Sequence, residues 1–289
     1  MGAVKNSGVF KGVSVNGQIA KGLAKNGVVF WKQETLHAHT VKILARATAI
    51  GATPPTNIAN FDSYVRCMYP IWMDYCDVFF RFRGTGDANF KRINLANPDG
   101  ALADFYGGYT LDISGIKGNG VNAYVDTNFN PSLLVSGQKY QLEDAEFGGV
   151  VSEYPLSENS NASYSPLLGT ILALGRNTLY LRPVNASKIN GAGNNLNTSV
   201  DMSGAGFKAI SRISVSNIVL TNKNIENVRT QNVDIIDNSN QFALRGVVGF
   251  SNAKASSVFM GKALNSSIRQ QIRTAENADM ANLGLPQIA

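Results

Sequence analysis

The stretch of the chain most suggestive of chemistry is GVNAYVDTNFNPS, residues 120–132. Within it, Asp126, Asn128 and Asn130 place oxygen-bearing side chains at alternate positions, as at the start of an EF-hand calcium loop. An EF-hand also needs glycine at its sixth position and glutamate at its twelfth, where this sequence has proline and glycine. The residues therefore favour a strand end whose Asx side chains cap their own turn, with a shallower calcium site as the alternative.

Two glycine-rich segments match the dinucleotide pattern G-x-G-x-x-A, one beginning at Gly118 and one at Gly204. A phosphate-binding loop of that kind joins a strand to a helix, whose N-terminus holds the pyrophosphate. Both segments run into strand-like sequence instead, so we interpret them as turns and predict no cofactor. The first is expected to form a hairpin into a core strand in which Tyr124 and Val125 face opposite sides.

His37 and His39 are the only histidines of the chain. In an extended segment both rings would lie on one face, because side chains alternate with a period of two. Two imidazoles are too few for a structural metal site, although three chains on a threefold axis would supply six. We predict no metal site in one chain and name these two residues as candidates in a trimer; the alternative is a pair of partly exposed linker histidines.

Catalytic constellations are scarce in the sequence. The segment EDAEF supplies Glu143, Asp144 and Glu146, but the first two would point to opposite faces of a strand, and glycoside hydrolysis needs two facing carboxylates. No G-x-S-x-G elbow occurs, and two histidines leave little scope for a Ser-His-Asp triad. The sequence predicts no catalytic residues and a protein that is not an enzyme.

Aromatic and amide side chains in predicted loops are the remaining candidates for binding. A sugar ring stacks on an aromatic side chain while amides and carboxylates bond its hydroxyls. The polar loop SEYPLSENSNASYSP and the end of the strand near Asp126 supply the candidate carbohydrate-binding residues, which are Tyr154, Tyr164, Asn159, Asn161, Asn128 and Asn130. The alternative is that both tyrosines pack as ordinary half-buried loop residues.

Charge and composition exclude several classes of protein. Charged residues make up 16% of the chain, against about a quarter in typical domains. The net charge of +6 arises mostly before Glu34 and is not clustered on one element, so we predict no nucleic-acid binding and expect an acidic protein partner for the basic end. No apolar run reaches transmembrane length, so we predict no membrane insertion. Cys67 and Cys76 are expected to be buried free thiols.

The N-terminal residues repeat, with similar segments starting at Asn6, Asn16 and Asn26. Asn-Gly pairs at the second and third of these favour type I′ hairpins, so residues 1–35 are predicted to form a three-stranded β-meander. Strands this short bury little surface alone, so the meander is expected to pack on the main domain, on copies of itself or on a larger assembly that it anchors. The candidate anchoring residues are Lys11, Lys21, Lys25, Phe30 and Trp31.

The rest of the chain is predicted to be mainly β. Apolar spacing indicates a helix near residues 56–68, within a helical linker over residues 36–70. Short strands at regular spacing over residues 71–289 favour an antiparallel β-sandwich or jelly roll. Residues 265–286 predict a C-terminal helix capped by Asn265 or Ser266 and ended by a Gly-x-Pro stop.

The segments ANFKRINLANPDG (residues 88–100) and GIKGNGVNAYVDTNFNPS (residues 115–132) resemble a family of tailed-bacteriophage virion proteins with a LamG- or concanavalin-A-like domain. The resemblance covers roughly residues 41–285, including a closing strand and helix over residues 247–285. Leu95 departs from it where an aromatic residue is common, and residues 185–240 do not fit it clearly. The matching residues are Asn89, Phe90, Asn94, Asn97, Pro98, Gly118, Gly120, Tyr124, Asp126, Thr127, Asn128, Phe129, Asn130 and Pro131.

The resemblance implies a particle-surface jelly roll of the tail-fibre or adhesion type, with no catalytic residues to carry over. We therefore expect a virion protein, assembled in the host cytoplasm, that serves as a tail-fibre or tail-tip receptor-binding component and recognises host surface carbohydrate. The expected partners are other virion proteins through the N-terminus, a host surface glycan, and further copies of the chain in a homo-oligomer such as a trimer. The alternative is a capsid or tail decoration or connector protein with a purely structural role.

Overall fold

The computed structural model describes strand backbone within residues 2–32 and, more fully, residues 35–133, 135–154, 166–170, 177–181, 187, 189–190, 202–233, 235–236, 238–246 and 249–288. The chain divides into two compact units, Met1–His37 and Ala38–Ala289.

The N-terminal unit contains short antiparallel strands, which are β1 (Gly2–Asn6), β2 (Val9–Val15), β3 (Gln18–Ile19), β4 (Gly22–Lys25) and β5 (Val28–Lys32). β1, β2 and β3 form one sheet, and β4 pairs with β5. The strands flanking each Asn-Gly pair are therefore antiparallel neighbours, as predicted, but the single three-stranded meander is wrong, because five described strands form two sheets. Lys21 and the side-chain surroundings of Lys11, Lys25, Phe30 and Trp31 lie outside the described part of the structure, so anchoring stays a prediction.

The larger unit contains two antiparallel sheets and a small ribbon. The strands of the first sheet are β6 (Cys76–Arg81), β8 (Thr110–Asp112), β9 (Gly115–Lys117), β11 (Ala145–Glu153), β14 (Gly206–Arg212), β15 (Asn217–Asn222), β16 (Ile225–Thr230) and β20 (Lys254–Gly261). Those of the second are β7 (Asp104–Tyr106), β10 (Tyr124–Asp126), β12 (Pro166–Gly169), β13 (Thr178–Tyr180) and β17 (Phe242–Ala243). β18 (Arg245–Gly246) and β19 (Gly249–Phe250) form the ribbon.

The order of strands places β11 and β20 at the centre of the larger sheet and β17 at the centre of the smaller one. The larger sheet runs β16-β15-β14-β11-β20-β9-β8, with β6 also paired to β20. The smaller sheet runs β13-β12-β17-β10-β7. Apolar residues of both sheets, among them Phe80, Val125 and Ala243, form one buried core between them. The predicted mainly β, antiparallel sandwich is confirmed.

Helices cover the other face of the larger sheet. They are α1 (Ala38–Ala49), α2 (Ile58–Tyr75), α3 (Ala88–Lys91) and α4 (Ser266–Asn282), and a 3-10 turn spans Pro131–Leu133. Trp72 of α2 and Ile272 of α4 pack with Phe79 of β6 in a second core. Phe79 and Phe80 are both fully buried because β6 lies between two cores, as expected for a continuous apolar strand.

The helices differ in detail from those the sequence predicts. α2 continues past Pro70 to Tyr75, because Ile71 and Trp72 are buried in the same core as Phe61 and this packing outweighs the lost backbone hydrogen bond. α1 and α2, assigned to a linker in the sequence, belong to the larger unit. α4 begins as predicted, with the Asn265 side chain accepting a hydrogen bond from the Ile268 amide at 3.0 Å. Among the described residues, no helix has the length and apolar character needed to cross a membrane.

The predicted hairpin at Gly118 is wrong. The strand before it, β9, belongs to the larger sheet, whereas β10 belongs to the smaller one, so residues 118–123 cross from one sheet to the other at the rim of the sandwich. A Cβ atom at Gly118 would lie 1.9 Å from the Ser251 carbonyl oxygen, which is why glycine is required there. The Asn119 side-chain oxygen accepts hydrogen bonds from three backbone amides of the crossover, at 2.9–3.0 Å.

Both cysteines are free thiols, as predicted, but only one is buried. Cys76 begins β6 within the second core, and burial raises the pKa of its thiol. Cys67 lies on the exposed side of α2, so its predicted burial is wrong.

Candidate functional site

An aromatic cluster lies on the outer face of the smaller sheet. We call it the outer-face cluster and define it as Tyr106, Tyr124, Phe242 and Phe250. The rings of Tyr106 and Tyr124 are stacked, with centroids 4.8 Å apart and planes inclined by 16°. Phe242 meets Tyr124 edge-on at 5.7 Å, and Phe250 lies 6.0 Å from the same ring. Tyr106 is 43% exposed, so the cluster ends in an aromatic ring that is open to solvent.

The register of the smaller sheet produces this arrangement. Tyr124 of β10 lies opposite Tyr106 of β7, and Val125 lies opposite Phe105. Because side chains alternate along a strand, Val125 and Phe105 pack towards the core between the sheets while both tyrosines project outward. Cross-strand neighbours on one face are close enough for their rings to stack. The predicted opposite facing of Tyr124 and Val125 is confirmed.

Arg245 adds a positive charge to the outer-face cluster. Its guanidinium carbon lies 4.5 Å from the centroid of Tyr124, 5.4 Å from that of Phe242 and 5.2 Å from that of Phe250. A cation over aromatic faces is attracted by their quadrupoles. The side chain is half-buried and makes no hydrogen bond or ion pair with any residue that the structure describes.

Carboxylates and amides lie at the other end of the tyrosine pair. Asp104 and Asp126 lie opposite each other on the two strands. Each is two residues from its tyrosine, so both carboxylates lie on the same face of the sheet as the tyrosines. The Asn128 side-chain amide donates to Asp104 at 2.8 Å, and the Asn240 side-chain amide donates to both oxygens of Asp126 at 3.1 and 3.2 Å. Arg92 also pairs with Asp104. These half-exposed groups form a polar border along the outer-face cluster.

The tyrosine hydroxyls are available to a ligand. Neither the Tyr106 nor the Tyr124 hydroxyl bonds to a residue within the described ranges. The Asp104 carboxylate raises the pKa of Tyr106, and desolvation, Tyr124 and Asp126 raise it further. The Tyr106 hydroxyl therefore keeps its proton at neutral pH and remains a hydrogen-bond donor.

Most of this site could not be predicted from the sequence. Its members, Arg245 included, come from five separate strands, and no spacing along the chain brings Tyr106, Phe242 or Arg245 to Tyr124. The available signal was the outward position of Tyr124 in a predicted core strand, which places an aromatic ring on the outside of the sandwich.

The predicted carbohydrate loop is only partly described. Tyr154 is half-buried, packs against the core between the sheets and donates its hydroxyl to the Leu181 carbonyl at 3.0 Å. This matches the packing alternative, so Tyr154 does not offer an open ring. Tyr164, Asn159 and Asn161 lie outside the described residues. Of the predicted residues, Asn128 is the one that the structure brings to the polar border.

The strand end after Asp126 is capped by its own side chains, as predicted. The Asp126 side chain accepts a hydrogen bond from the backbone N–H of Asn128 at 2.8 Å, and the Asn130 side chain accepts one from the backbone N–H of Ser132 at 3.0 Å. The Asn130 side chain also donates to Asn238 at 3.1 Å, away from the tyrosine pair. In the part of the chain that the structure describes, no group of three or more His, Cys, Asp or Glu side chains is placed to hold a metal ion.

The expected extended segment at the two histidines is wrong, because α1 begins at Ala38. His39 is 8% exposed, and its Nε2 lies 2.6 Å from the Leu95 carbonyl oxygen. Its ring also packs against Tyr69 and Trp72, with centroids 5.0 and 5.8 Å away. His39 thus serves the second core of the larger unit, whereas His37 ends the N-terminal unit.

A cleft of about 570 Å³ opens at the rim of the sandwich, lined by residues that include His39, Tyr69, Asp77, Asn97, Phe129 and Lys139. Its volume suits a small ligand. Its charged groups are used within the fold, however: Asp77 accepts from the amides of Lys139 and Tyr140, and Lys139 donates to the carbonyls of Trp72 and Cys76. The outer-face cluster, with unused donors beside an open ring, is the stronger candidate.

Comparison with solved structures finds distant likenesses to a sialidase, to a lumenal domain and to an HCR/D mutant. A sialidase of Trypanosoma rangeli in complex with sialic acid is 14% identical, with a TM-score of 0.41, over 77% of this chain and 38% of that one. The exoplasmic/lumenal domain of VIP36 in its Ca²⁺-bound form is 10% identical, with a TM-score of 0.33, over 67% and 91% of the two chains. An HCR/D mutant is 10% identical, with a TM-score of 0.44, over 71% and 52%.

These likenesses concern the fold alone. The chain spans about two-fifths of the length of the sialidases it matches. No protein-family model matches the sequence, and no curated protein matches it either. The fold is that of an antiparallel β-sandwich protein, with an aromatic cluster on the outer face of its smaller sheet.

The prediction that the chain is not an enzyme is contradicted by these matches. Several of the matched structures are sialidases, which are enzymes, so this sandwich fold does not separate the chain from enzymes. That prediction is withdrawn. The low identity carries no catalytic residue over to this chain.

Proposed function

We propose that this protein binds carbohydrate at the outer-face cluster. The observation that carries the proposal is the stacked Tyr106–Tyr124 pair, whose outer ring is 43% exposed and whose hydroxyls have no partner among the described residues. A large exposed ring that is backed by a second ring offers a rigid platform, because the stack already fixes its orientation.

The chemistry around the platform suits a sugar. Pyranose rings present C–H groups on their faces and hydroxyls at their edges, so they stack on aromatic rings and are bonded from the side. Here the Tyr106 and Tyr124 hydroxyls and the polar border of Asp104, Asp126 and Asn128 lie beside the open ring. We expect the stack to contribute on the order of 1 kcal/mol beyond the area that it buries.

We further propose that the protein is a bacteriophage virion component that recognises host surface carbohydrate, with residues 1–35 as its anchor. The resemblance of residues 88–132 to tailed-phage virion proteins supports this role, and several matching residues of that motif, including Tyr124, Asp126 and Asn128, belong to the site or its border. Mass spectrometry of purified particles tests this part, and absence of the chain from them would refute it.

A glycan array probed with the purified full-length protein tests the binding itself. Hits should weaken in Tyr106→Ala by about fivefold, which corresponds to about 1 kcal/mol, while the melting temperature stays unchanged. Tyr69→Ala, which alters a ring of the rim cleft instead, is the matched control and should bind normally. An array with no hits would favour a decoration or connector protein, and loss of binding only in Tyr69→Ala would move the site to the cleft.

A further inference from the structure

The guanidinium of Arg245 differs from the other guanidiniums that lie over aromatic rings. Arg81 and Arg83 lie over Tyr64, but both are paired with the Asp279 carboxylate. Arg273 lies over Phe207 and donates to Gln270 and to the Lys223 carbonyl. Arg245 is half-exposed and donates to no described residue, so its N–H groups remain open on the ligand side of the sheet.

The position of Arg245 gives the outer-face cluster two chemically different ends. Tyr124 contacts both Tyr106 and Arg245, at 4.8 and 4.5 Å, so the three side chains follow one another along the face. The acceptors Asp104 and Asp126 flank the tyrosine pair, and each already has cationic or amide donors of its own. A ligand that stacks on Tyr106 and is long enough to pass the Tyr124 ring therefore meets the guanidinium.

On the basis of the proposed carbohydrate-binding function, we infer that the ligand is an acidic oligosaccharide, whose carboxylate is bound by Arg245 while a neighbouring sugar ring stacks on Tyr106. The planar guanidinium matches a carboxylate through two parallel hydrogen bonds. The aromatic rings beneath it exclude water from one side, which strengthens this pairing relative to a fully solvated arginine.

The test compares uronate-bearing oligosaccharides with their carboxyl-reduced counterparts, which keep ring shape and linkage but lack the charge. The full-length protein should bind the uronate member of a pair at least about tenfold more tightly, as a charge-assisted hydrogen bond predicts. Arg245→Gln should abolish this preference by lowering the affinity for the uronate member to that for the reduced member. Arg229→Gln, on the distant edge strand β16, removes the same charge and should keep the preference.

The outcomes separate this inference from the proposed function. Equal binding of both members by the unmodified protein, or a preference that survives in Arg245→Gln, overturns the assignment to acidic sugars while carbohydrate binding stands. Binding of no oligosaccharide of either kind overturns both. Lower affinity of Arg245→Gln for both members alike would show that the arginine acts only by supporting the rings, which also overturns the inference.

Discussion

Two arginine–aromatic clusters on opposite sides of the larger unit contain the same types of side chain but differ in how their arginines are paired. Between the helices and the larger sheet, Arg81 and Arg83 lie over Tyr64, with guanidinium carbons 5.4 and 5.2 Å from the ring centroid. On the outer face of the smaller sheet, Arg245 lies over Tyr124 at 4.5 Å. The first cluster is buried, whereas the second is partly open to solvent.

The inner cluster is closed by carboxylates. Asp279 accepts from Arg81 at 2.8 and 2.9 Å and from Arg83 at 2.6 Å. Glu276 accepts from Arg83 and, at 2.7 Å, from the Tyr64 hydroxyl. Burial opposes the charge on Arg83, but Glu276 and Asp279 outweigh it and keep its pKa raised. These hydrogen bonds and ion pairs connect α2, α4 and β6.

The comparison shows that the two clusters differ in whether a carboxylate pairs with the arginine, not in the type of residue. This pairing distinguishes the structural cluster from the proposed binding surface. Buried charges must be paired, since leaving one alone costs several kcal/mol. An arginine held by rings alone can persist at a surface, because water still solvates its free N–H groups. Arg245 is thus oriented without being neutralised, and that condition suits the recognition of an external anion.

The largest expected difference between the clusters is the effect of removing an arginine. Arg83→Met should destabilise the larger unit by about 3–5 kcal/mol, because Glu276 loses its cation in a buried site. Arg245→Met, the matched control, should change stability by no more than about 1 kcal/mol. Urea unfolding in a Trp31→Phe background, followed by the fluorescence of buried Trp72, measures both. Equal losses for the two variants would contradict the comparison.

A second prediction concerns pH. Burial alone would raise the pKa of Asp279, but Arg83 and Arg81 outweigh it and hold the pKa below the ordinary value of 3.8. Because the folded state lowers this pKa, the stabilisation is complete above about pH 4 and is lost as the pH falls through the folded value.

Asp279→Asn should therefore cost about 3 kcal/mol at neutral pH and progressively less at acid pH, since the carboxyl of the unmodified protein becomes protonated there. Urea unfolding of both proteins from about pH 2 to about pH 7 measures the difference in their free energies of unfolding. A difference that stays constant over this range would show that the carboxylate charge is not what stabilises the inner cluster.

The smallest expected effects come from removing single hydroxyls. Tyr64→Phe should cost about 1.5–3 kcal/mol, because the Tyr64 hydroxyl donates to the buried Glu276 carboxylate. Tyr124→Phe should change stability by less than about 0.5 kcal/mol, because its hydroxyl has no described partner. Sugar affinity should respond in the opposite way, falling in Tyr124→Phe and not in Tyr64→Phe. A loss of stability in Tyr124→Phe would indicate that the outer hydroxyl serves the scaffold.

Local features of the fold could be predicted from the sequence because neighbouring residues carry them. The Asn265 cap of α4, the pairing of the strands that flank each Asn-Gly pair and the Asx-capped strand end after Asp126 each depend on contacts a few residues apart. Predictions failed where distant residues decide: α2 passes Pro70 because its last turn packs in the second core, and α1 replaces the expected extended segment at His39.

The sequence by itself determined the antiparallel β character of the chain and the opposite facing of Tyr124 and Val125, through strand-forming runs and their alternation. Only the tertiary structure decided that β10 lies between β7 and β17, because strand neighbours are selected by packing between two sheets rather than by local spacing. That choice brings Tyr106, together with Phe242 and Arg245 from a distant part of the chain, onto one face with Tyr124. Residues 118–123 also show what the sequence alone could not determine. A glycine-rich segment can form a turn within one sheet or a crossover between two sheets, and packing in the shared core favours the crossover.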